Sequence, residues 1–130
     1  MEFISFELAK KLKEKGFKME YPFAMYNELG VFHPLYSSVG IDESYEYYNF
    51  NEHDVIAPTI SQVLKWLREE KNIHIIVEIS DSGWYFTLYP NARWENGKLK
   101  SDKYIMSFKH KVSYEQSALA GIEYVLDKLI

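Results

Sequence analysis

The clearest pattern of apolar and polar positions lies in the middle of the chain, between Ala57 and Pro90. Apolar side chains there recur at the spacing of one face of an α-helix, namely Ile60, Val63, Leu64 and Leu67. Thr59 and Gln62 form a capping box at the start of this helix, because each side chain can accept a hydrogen bond from the other residue's backbone N–H. Asn72 suits the left-handed residue that ends a helix.

Immediately after this helix the period changes from 3.6 to two. Alternate residues point to one side of a predicted strand, namely Ile73, Ile75, Val77 and Ile79. Asp81, Ser82 and Gly83 then supply turn residues, and Gly83 can adopt a positive φ. Trp84, Phe86 and Leu88 alternate in the returning segment. The pattern therefore predicts a β-hairpin directly after the helix.

Two more helices are predicted near the ends of the chain. The first runs from about Phe6 to Lys15, with Ser5 as its N-cap and Gly16 at its end. The second follows Ser113, which forms another capping box with Gln116. Its apolar face is made by Ala118, Ile122, Val125, Leu126 and Leu129. Gly121 on this helix would allow close approach to a sheet.

Shorter alternating segments predict the remaining strands. Residues 17–25 and 31–36 form a pair around a turn. Because proline cannot donate to a ladder, Pro22 indicates an edge strand or an interrupted one, and Pro34 again favours an edge position. Another strand is predicted from Tyr104 to Lys111. Residues 37–56 are too many for a structureless loop in a compact domain, so their aromatic residues indicate at least one short strand there.

The elements follow the order α-β-β-(loop)-α-β-β-β-α. Helices and strands that are each apolar on one side bury those sides together when the helices cover one face of a mostly antiparallel sheet. We therefore predict an α+β fold with a sheet of four to five strands and three helices packed on one face. The length of 130 residues suits one domain, 1–130.

Composition narrows the class of protein further. The hydrophobic content of 47% is ordinary for a globular chain, whereas the aromatic content of 17% is high and includes 11 tyrosines. The absence of cysteine excludes disulfides and thiolate chemistry and fits a reducing compartment. No apolar run approaches the roughly 20 residues of a membrane span, and the N-terminus lacks the pattern of a signal peptide. We expect a cytoplasmic protein without a membrane partner.

Charge is unevenly distributed along the chain. No lysine or arginine lies between Met19 and Leu64, where the charged residues are acidic: Glu20, Glu28, Asp42, Glu43, Glu46, Glu52 and Asp54. In residues 93–111 the basic side chains outnumber the acidic ones, with Arg93, Lys98, Lys100, Lys103, Lys109 and Lys111 against Glu95 and Asp102. This asymmetry is typical either of solvated surfaces that attract each other or of a polarised binding surface. The net charge of −4 argues against nonspecific nucleic-acid binding.

The sequence contains no recognisable catalytic motif. The four histidines are scattered, and none has another histidine at metal-ligand spacing. Glu52, His53 and Asp54 are consecutive, but adjacent side chains in an extended segment point in opposite directions and do not build a site by themselves. There is no glycine-rich phosphate loop, G-x-S-x-G elbow or H-E-x-x-H motif. We predict a non-enzyme with no catalytic residues, metal ligands or cofactor.

A protein-binding role fits the residues better. Acidic residues between Asp42 and Asp54 are interleaved with aromatic ones, namely Tyr45, Tyr47, Tyr48 and Phe50. Exposed aromatic side chains provide rigid contact area at low entropic cost, and Arg93 and Trp94 on a later loop share this character. We predict that these six residues contact a protein of unknown identity. For each ring taken singly, the alternative is that it covers the sheet.

An alternative function is nucleic-acid binding or antitoxin-like neutralisation through the basic stretch 93–111. Residues 59–130 resemble a double-stranded-RNA-binding domain in element order alone, as helix, three strands and helix. Small antitoxins that block a nuclease share the same outline. The final helix of the RNA-binding family begins with a lysine-rich stretch, whereas the matching residues here are Ser113, Tyr114, Glu115 and Gln116.

Three blocks carry a resemblance that covers nearly the whole chain. They are FISFELAKKLKEKGF, APTISQVLKWLREEKNIHI and SYEQSALAGIEYVLDKLI. Together they resemble a family of short uncharacterised proteins from gut Bacteroidetes and their phages. The resemblance implies a cytoplasmic protein borne on a mobile element. It carries over no activity and no functional residues.

Overall fold

The computed structural model describes residues 2–19, 22–37, 40–41, 52–102, 105–107 and 109–130. The chain divides into two compact units, Met1–Thr59 and Ile60–Ile130. Both contain helices and antiparallel strands, so the predicted α+β class is confirmed. Within the described residues, no helix has the length and apolar character needed to cross a membrane.

Helix α1 of the first unit, Phe6–Glu14, begins and ends where the sequence predicts. The Ser5 hydroxyl accepts a hydrogen bond from the Leu8 backbone N–H at 3.3 Å. At the other end, Gly16 has a φ of +90°, and the Phe17 N–H donates to the Leu12 carbonyl at 3.0 Å. This is the Schellman arrangement, which satisfies carbonyls that the helix leaves without partners. The buried face of α1 consists of Leu8, Ala9 and Leu12.

The strands of the first unit are shorter than predicted. Strands β1 (Ala24–Tyr26), β2 (Phe32–Pro34) and β5 (Val55–Ile56) form an antiparallel sheet in the order β2-β1-β5. Pro34 therefore lies in an edge strand, as its missing N–H indicates. Pro22 precedes β1, which is the central strand, so the expected edge position is wrong there and the strand instead begins after the proline. A separate pair consists of β3 (Tyr36–Ser37) and β4 (Gly40–Ile41).

The helix and hairpin at the centre of the sequence open the second unit. Helix α2, Ile60–Glu70, is followed by Asn72, whose φ of 53° confirms the predicted left-handed end. Strands β6 (Ile73–Ser80) and β7 (Gly83–Pro90) then pair along their full length without a bulge. Strand β10 (Ile105–Met106) pairs with the other side of β7, which gives the order β10-β7-β6.

The rest of the second unit consists of a ribbon and the C-terminal helix. Strands β8 (Arg93–Glu95) and β9 (Lys98–Lys100) form the ribbon within the segment after Pro90, which the sequence predicts as a polar connection with a turn at Asn96 and Gly97. Helix α3, Tyr114–Tyr124, continues as a π-helical turn, Val125–Leu129. The Ser113 hydroxyl accepts a hydrogen bond from the Gln116 N–H at 3.1 Å, which supports the predicted cap.

The partition of strands into sheets differs from the prediction. In the described residues, two three-stranded sheets and two two-stranded pairs replace a single sheet of four to five strands. The predicted strand from Tyr104 to Lys111 is represented by β10 and by an isolated bridge between Lys111 and Trp84. Alternation along a strand reports which side is buried, but it does not report which strand lies beside it. The prediction of one domain over 1–130 stays a prediction.

Candidate binding surface

The β8–β9 ribbon has two chemically different faces. Its turn consists of Asn96 and Gly97, with φ values of 52° and 74°, which is the combination that a two-residue hairpin with matching twist requires. The pairing places Trp94 directly opposite Leu99, so these two side chains share one face. The other face carries charged side chains, namely Arg93, Glu95, Lys98 and Lys100.

Trp94 is the most exposed aromatic side chain among the described residues, with 73% of its surface accessible. An indole in this position loses contact with water only if another molecule covers it. Leu99 beside it is half-buried and extends the apolar surface along the ribbon. Large rigid side chains of this kind lose little conformational entropy on binding, and tryptophan is enriched among the residues that dominate protein interfaces.

Arg93 holds the base of the ribbon in place. Its Nε donates to the Glu95 carboxylate at 2.8 Å, and its Nη1 donates to Asp102 at 3.2 Å and to the Asn91 carbonyl at 3.3 Å. The Asn91 amide donates to the same Asp102 carboxylate at 2.9 Å. Hydrogen bonding with Glu95, followed by the attraction of its charge, raises the pKa of Arg93. These bonds connect Arg93 to residues at both ends of the ribbon, whose first strand also carries Trp94.

The second exposed surface in this unit is one face of the β10-β7-β6 sheet. Helix α3 packs against the opposite face, because an added Cβ at Gly121 would lie 3.0 Å from Ile75 and 3.3 Å from Phe86. This contact confirms the close approach expected at Gly121. We call the other side the open face, and its exposed or half-buried side chains are His74, Ile76, Glu78, Tyr85, Tyr89 and Met106. Thr87 at its centre is buried. Ile76 and Met106 are 37% and 48% exposed.

Polar groups on the open face make contacts with one another. The Tyr85 hydroxyl donates to the Glu78 carboxylate at 3.4 Å, and the His110 ring meets the Tyr85 ring edge to face at 5.5 Å. Partial burial and the Glu78 charge raise the pKa of Tyr85. Burial, with a smaller contribution from the nearby Arg68, lowers the pKa of His74. The open face is thus a mixed apolar and tyrosine surface.

The first unit contains a cavity of about 300 Å³ beside α1 and β5. Lys13 and Asp54 are among the residues that line it. The Lys13 ammonium donates to the backbone carbonyls of Glu52 and Asp54, the latter at 3.0 Å. Because the lysine holds the chain before β5, its geometry is that of a structural contact.

The described residues do not assemble into a recognisable reactive centre. His53 lies 3.5 Å from the adjacent Glu52 carboxylate, whereas Asp54 is buried. In the parts of the chain that the structure describes, no three histidine, aspartate or glutamate side chains converge in a manner suited to a metal ion.

Two of the six predicted site residues can be placed. Arg93 and Trp94 belong to the same ribbon strand but occupy opposite faces of it. Tyr45, Tyr47, Tyr48 and Phe50 lie outside the described residues. Sequence reasoning missed the exposed apolar residues Ile76 and Met106 and the half-buried Leu99 beside Trp94. The available signal was in β6, where Ile76 breaks the alternation by placing an apolar residue on the polar side.

Comparison of the chain with models of protein families, with curated proteins and with solved structures gave no match.

Proposed function

We propose that this chain is a small non-catalytic protein-binding domain and that Trp94 is the anchor of its interface. The supporting observation is the combination of an exposed indole with a ribbon whose base is tied by Arg93 to Glu95 and Asp102. A preorganised anchor improves affinity because little ordering is left to be done on binding. Leu99, on the same face, would extend the contact.

The aromatic and acidic segment containing Tyr45, Tyr47, Tyr48 and Phe50 belongs to the same proposal as a second contact region. Its composition supports this role, since tyrosines interleaved with carboxylates suit a partner with basic and apolar groups. A cytoplasmic location agrees with the absence of cysteine. Encoding on a mobile element rests on the family resemblance alone.

The alternative proposal is nucleic-acid binding or antitoxin-like neutralisation through residues 93–111. Lys98 and Lys100 on the charged face of the ribbon support it. The carboxylates of Glu95 and Asp102 already compensate the charge of Arg93, which weakens attraction to phosphate. Protein binding is the better supported of the two.

The test is affinity capture from a lysate of the native host, followed by mass spectrometry. We expect Trp94→Ala to lose the partner that the unchanged chain captures, with an unchanged melting temperature because the indole is exposed. Leu29→Ala is the matched control, since Leu29 is also highly exposed but lies in the first unit. Undiminished capture by Trp94→Ala would refute the assignment of the anchor.

Two further measurements separate the remaining possibilities. A triple alanine variant at Tyr45, Tyr47 and Tyr48 should keep its melting temperature but fail to capture the partner, whereas unfolding would identify these rings as core. A gel shift with duplex RNA at moderate salt tests the alternative. A shift that disappears when Lys98 and Lys100 are replaced by alanine would favour nucleic-acid binding.

A further inference from the structure

Among the strands that the structure describes, β6 forms one edge of the β10-β7-β6 sheet, with β7 as its neighbour. It is eight residues long, and it pairs with β7 without interruption. Natural edge strands are usually protected by a proline, a lysine, a bulge or a very short length. Strand β6 has none of these features, because its sequence is IHIIVEIS and its register is continuous. Ile79 near its end is 64% exposed.

The hydrogen bonds of β7 show which backbone groups of β6 face outward. The Trp84 N–H donates to the Lys111 carbonyl at 2.9 Å, and the Phe86 carbonyl accepts from the Ser107 N–H at 2.9 Å. These two β7 residues therefore direct their backbone groups away from β6. In an antiparallel ladder, the residues opposite them must also direct theirs away from β7. Those opposite residues are Ile79 and Val77.

Alternation along the strand extends this result to the whole edge. The residues with outward N–H and C=O groups are Ile73, Ile75, Val77 and Ile79. An antiparallel strand can satisfy them only if its own outward residues lie directly opposite. When a second β6 is placed in this way with its symmetry axis at Ile76, Ile73 faces Ile79 of the other copy and Ile75 faces Val77. Four such pairs, with two bonds each, give about eight hydrogen bonds.

The same register also matches the side chains. On the open face, Glu78 lies opposite His74 of the other copy, twice by symmetry, with Ile76 facing its counterpart between them. An imidazole N–H can donate to a carboxylate in either protonation state of the ring. Shifting the register by two residues in one direction places Glu78 opposite Ile76, and in the other direction opposite Asn72. The register that uses every outward backbone group is thus also the one that pairs the charged residue.

We propose that two copies of this chain associate through antiparallel pairing of β6 with β6, with the two-fold axis at Ile76, to form a continuous six-stranded sheet. In this register the outward backbone groups of one copy pair with those of the other, the isoleucine and valine side chains face one another, and Glu78 faces His74. The interface is isologous, which is the commonest symmetry of soluble homodimers. It lies on the sheet edge and not on the ribbon that carries Trp94.

Cysteine cross-linking tests the register, because the chain has no cysteine of its own. At the axis, Ile76 and its counterpart form a non-hydrogen-bonded pair with Cα atoms about 4.5 Å apart, which a disulfide can bridge. We expect mild oxidation to convert Ile76→Cys into a covalent dimer. Val77→Cys and Ile79→Cys are controls that should cross-link more slowly. Val77 would face its own counterpart only in a shifted register, and Ile79 faces Ile73 of the other copy. Faster cross-linking of either control would overturn the register.

Light scattering after size-exclusion chromatography tests the association itself, at about 100 µM protein. The unchanged chain should have twice the mass of one copy, and Ile79→Lys should have the mass of one copy with an unchanged circular dichroism spectrum. The lysine is tolerated in the monomer because Ile79 is exposed, but it would be unpaired opposite Ile73. A monomeric unchanged chain, or a dimeric Ile79→Lys variant, would overturn the proposal. Trp94→Ala should remain dimeric, so that failure of one proposal does not affect the other.

Discussion

Replacement of Ser117 by alanine should stabilise the protein. Ser117 lies in α3 and is fully buried, and its hydroxyl has no hydrogen-bond partner among the residues that the structure describes. A buried hydroxyl without a partner has lost its bonds to water and gained none in return. The neighbouring Ala118 is equally buried, so the surroundings already accommodate alanine in this part of the helix.

The magnitude follows from two terms of the same sign. Removing an unsatisfied buried polar group recovers roughly 1–3 kcal/mol. Alanine is also the better helix former, by about 0.5 kcal/mol relative to serine. A small void left by the oxygen offsets part of this gain. We therefore expect Ser117→Ala to raise the free energy of unfolding by about 1–2 kcal/mol.

The matched control is Ser113→Ala in the same helix. The Ser113 hydroxyl accepts a hydrogen bond from the Gln116 N–H, so its loss should cost about 1 kcal/mol. Urea denaturation followed by circular dichroism measures both changes from the shift of the midpoint at constant slope. The two serine-to-alanine changes should have opposite signs. If Ser117→Ala is destabilising to the same extent as Ser113→Ala, then the hydroxyl is satisfied and the reasoning is wrong.

Two further predictions concern a turn and a titrating group. Gly30→Ala should lower the free energy of unfolding by about 2 kcal/mol, because φ at this position is +80° and the new Cβ would lie 2.8 Å from the Phe6 ring. Gly16→Ala is the control, since Gly16 also has a positive φ but has open space around it, and it should cost less stability in the same urea experiment. Equal losses of stability in the two variants would rule out the clash with Phe6. Burial and the charge of Arg68 lower the pKa of His74 in the folded state below its ordinary value of about 6.5. Just below pH 6.5 the unfolded state therefore binds more protons than the folded state, so the free energy of unfolding should fall as the pH drops below about 6.5. Arg68→Gln should raise the pKa of His74 in an NMR titration, and an unchanged or lower value would contradict this account.

Part of the candidate site could be predicted from sequence. The chemistry of Arg93 and Trp94 marks them as candidate contact residues, and Trp94 is exposed. The sequence did not predict that Arg93 bonds within the ribbon whereas Trp94 is exposed. The bonds of Arg93 depend on Glu95 and Asp102 lying beside the guanidinium, and the strand pairing places Trp94 on the opposite face. Exposure of Met106 on the open face likewise depends on which strand lies beside β7.

The sequence by itself determined the beginnings, ends and turns of the elements. The Ser5 cap, the end of α1 at Gly16, the left-handed Asn72 and the Asn96–Gly97 turn all appear as predicted. Each depends on backbone bonds or dihedral angles within a few residues, so the information is complete in a short segment. Only the tertiary structure decided how the strands group into sheets, which face of β7 is covered by α3, and that β6 lies at an edge among the described strands. These features depend on burial between distant segments, and many pairings are compatible with the same alternating pattern.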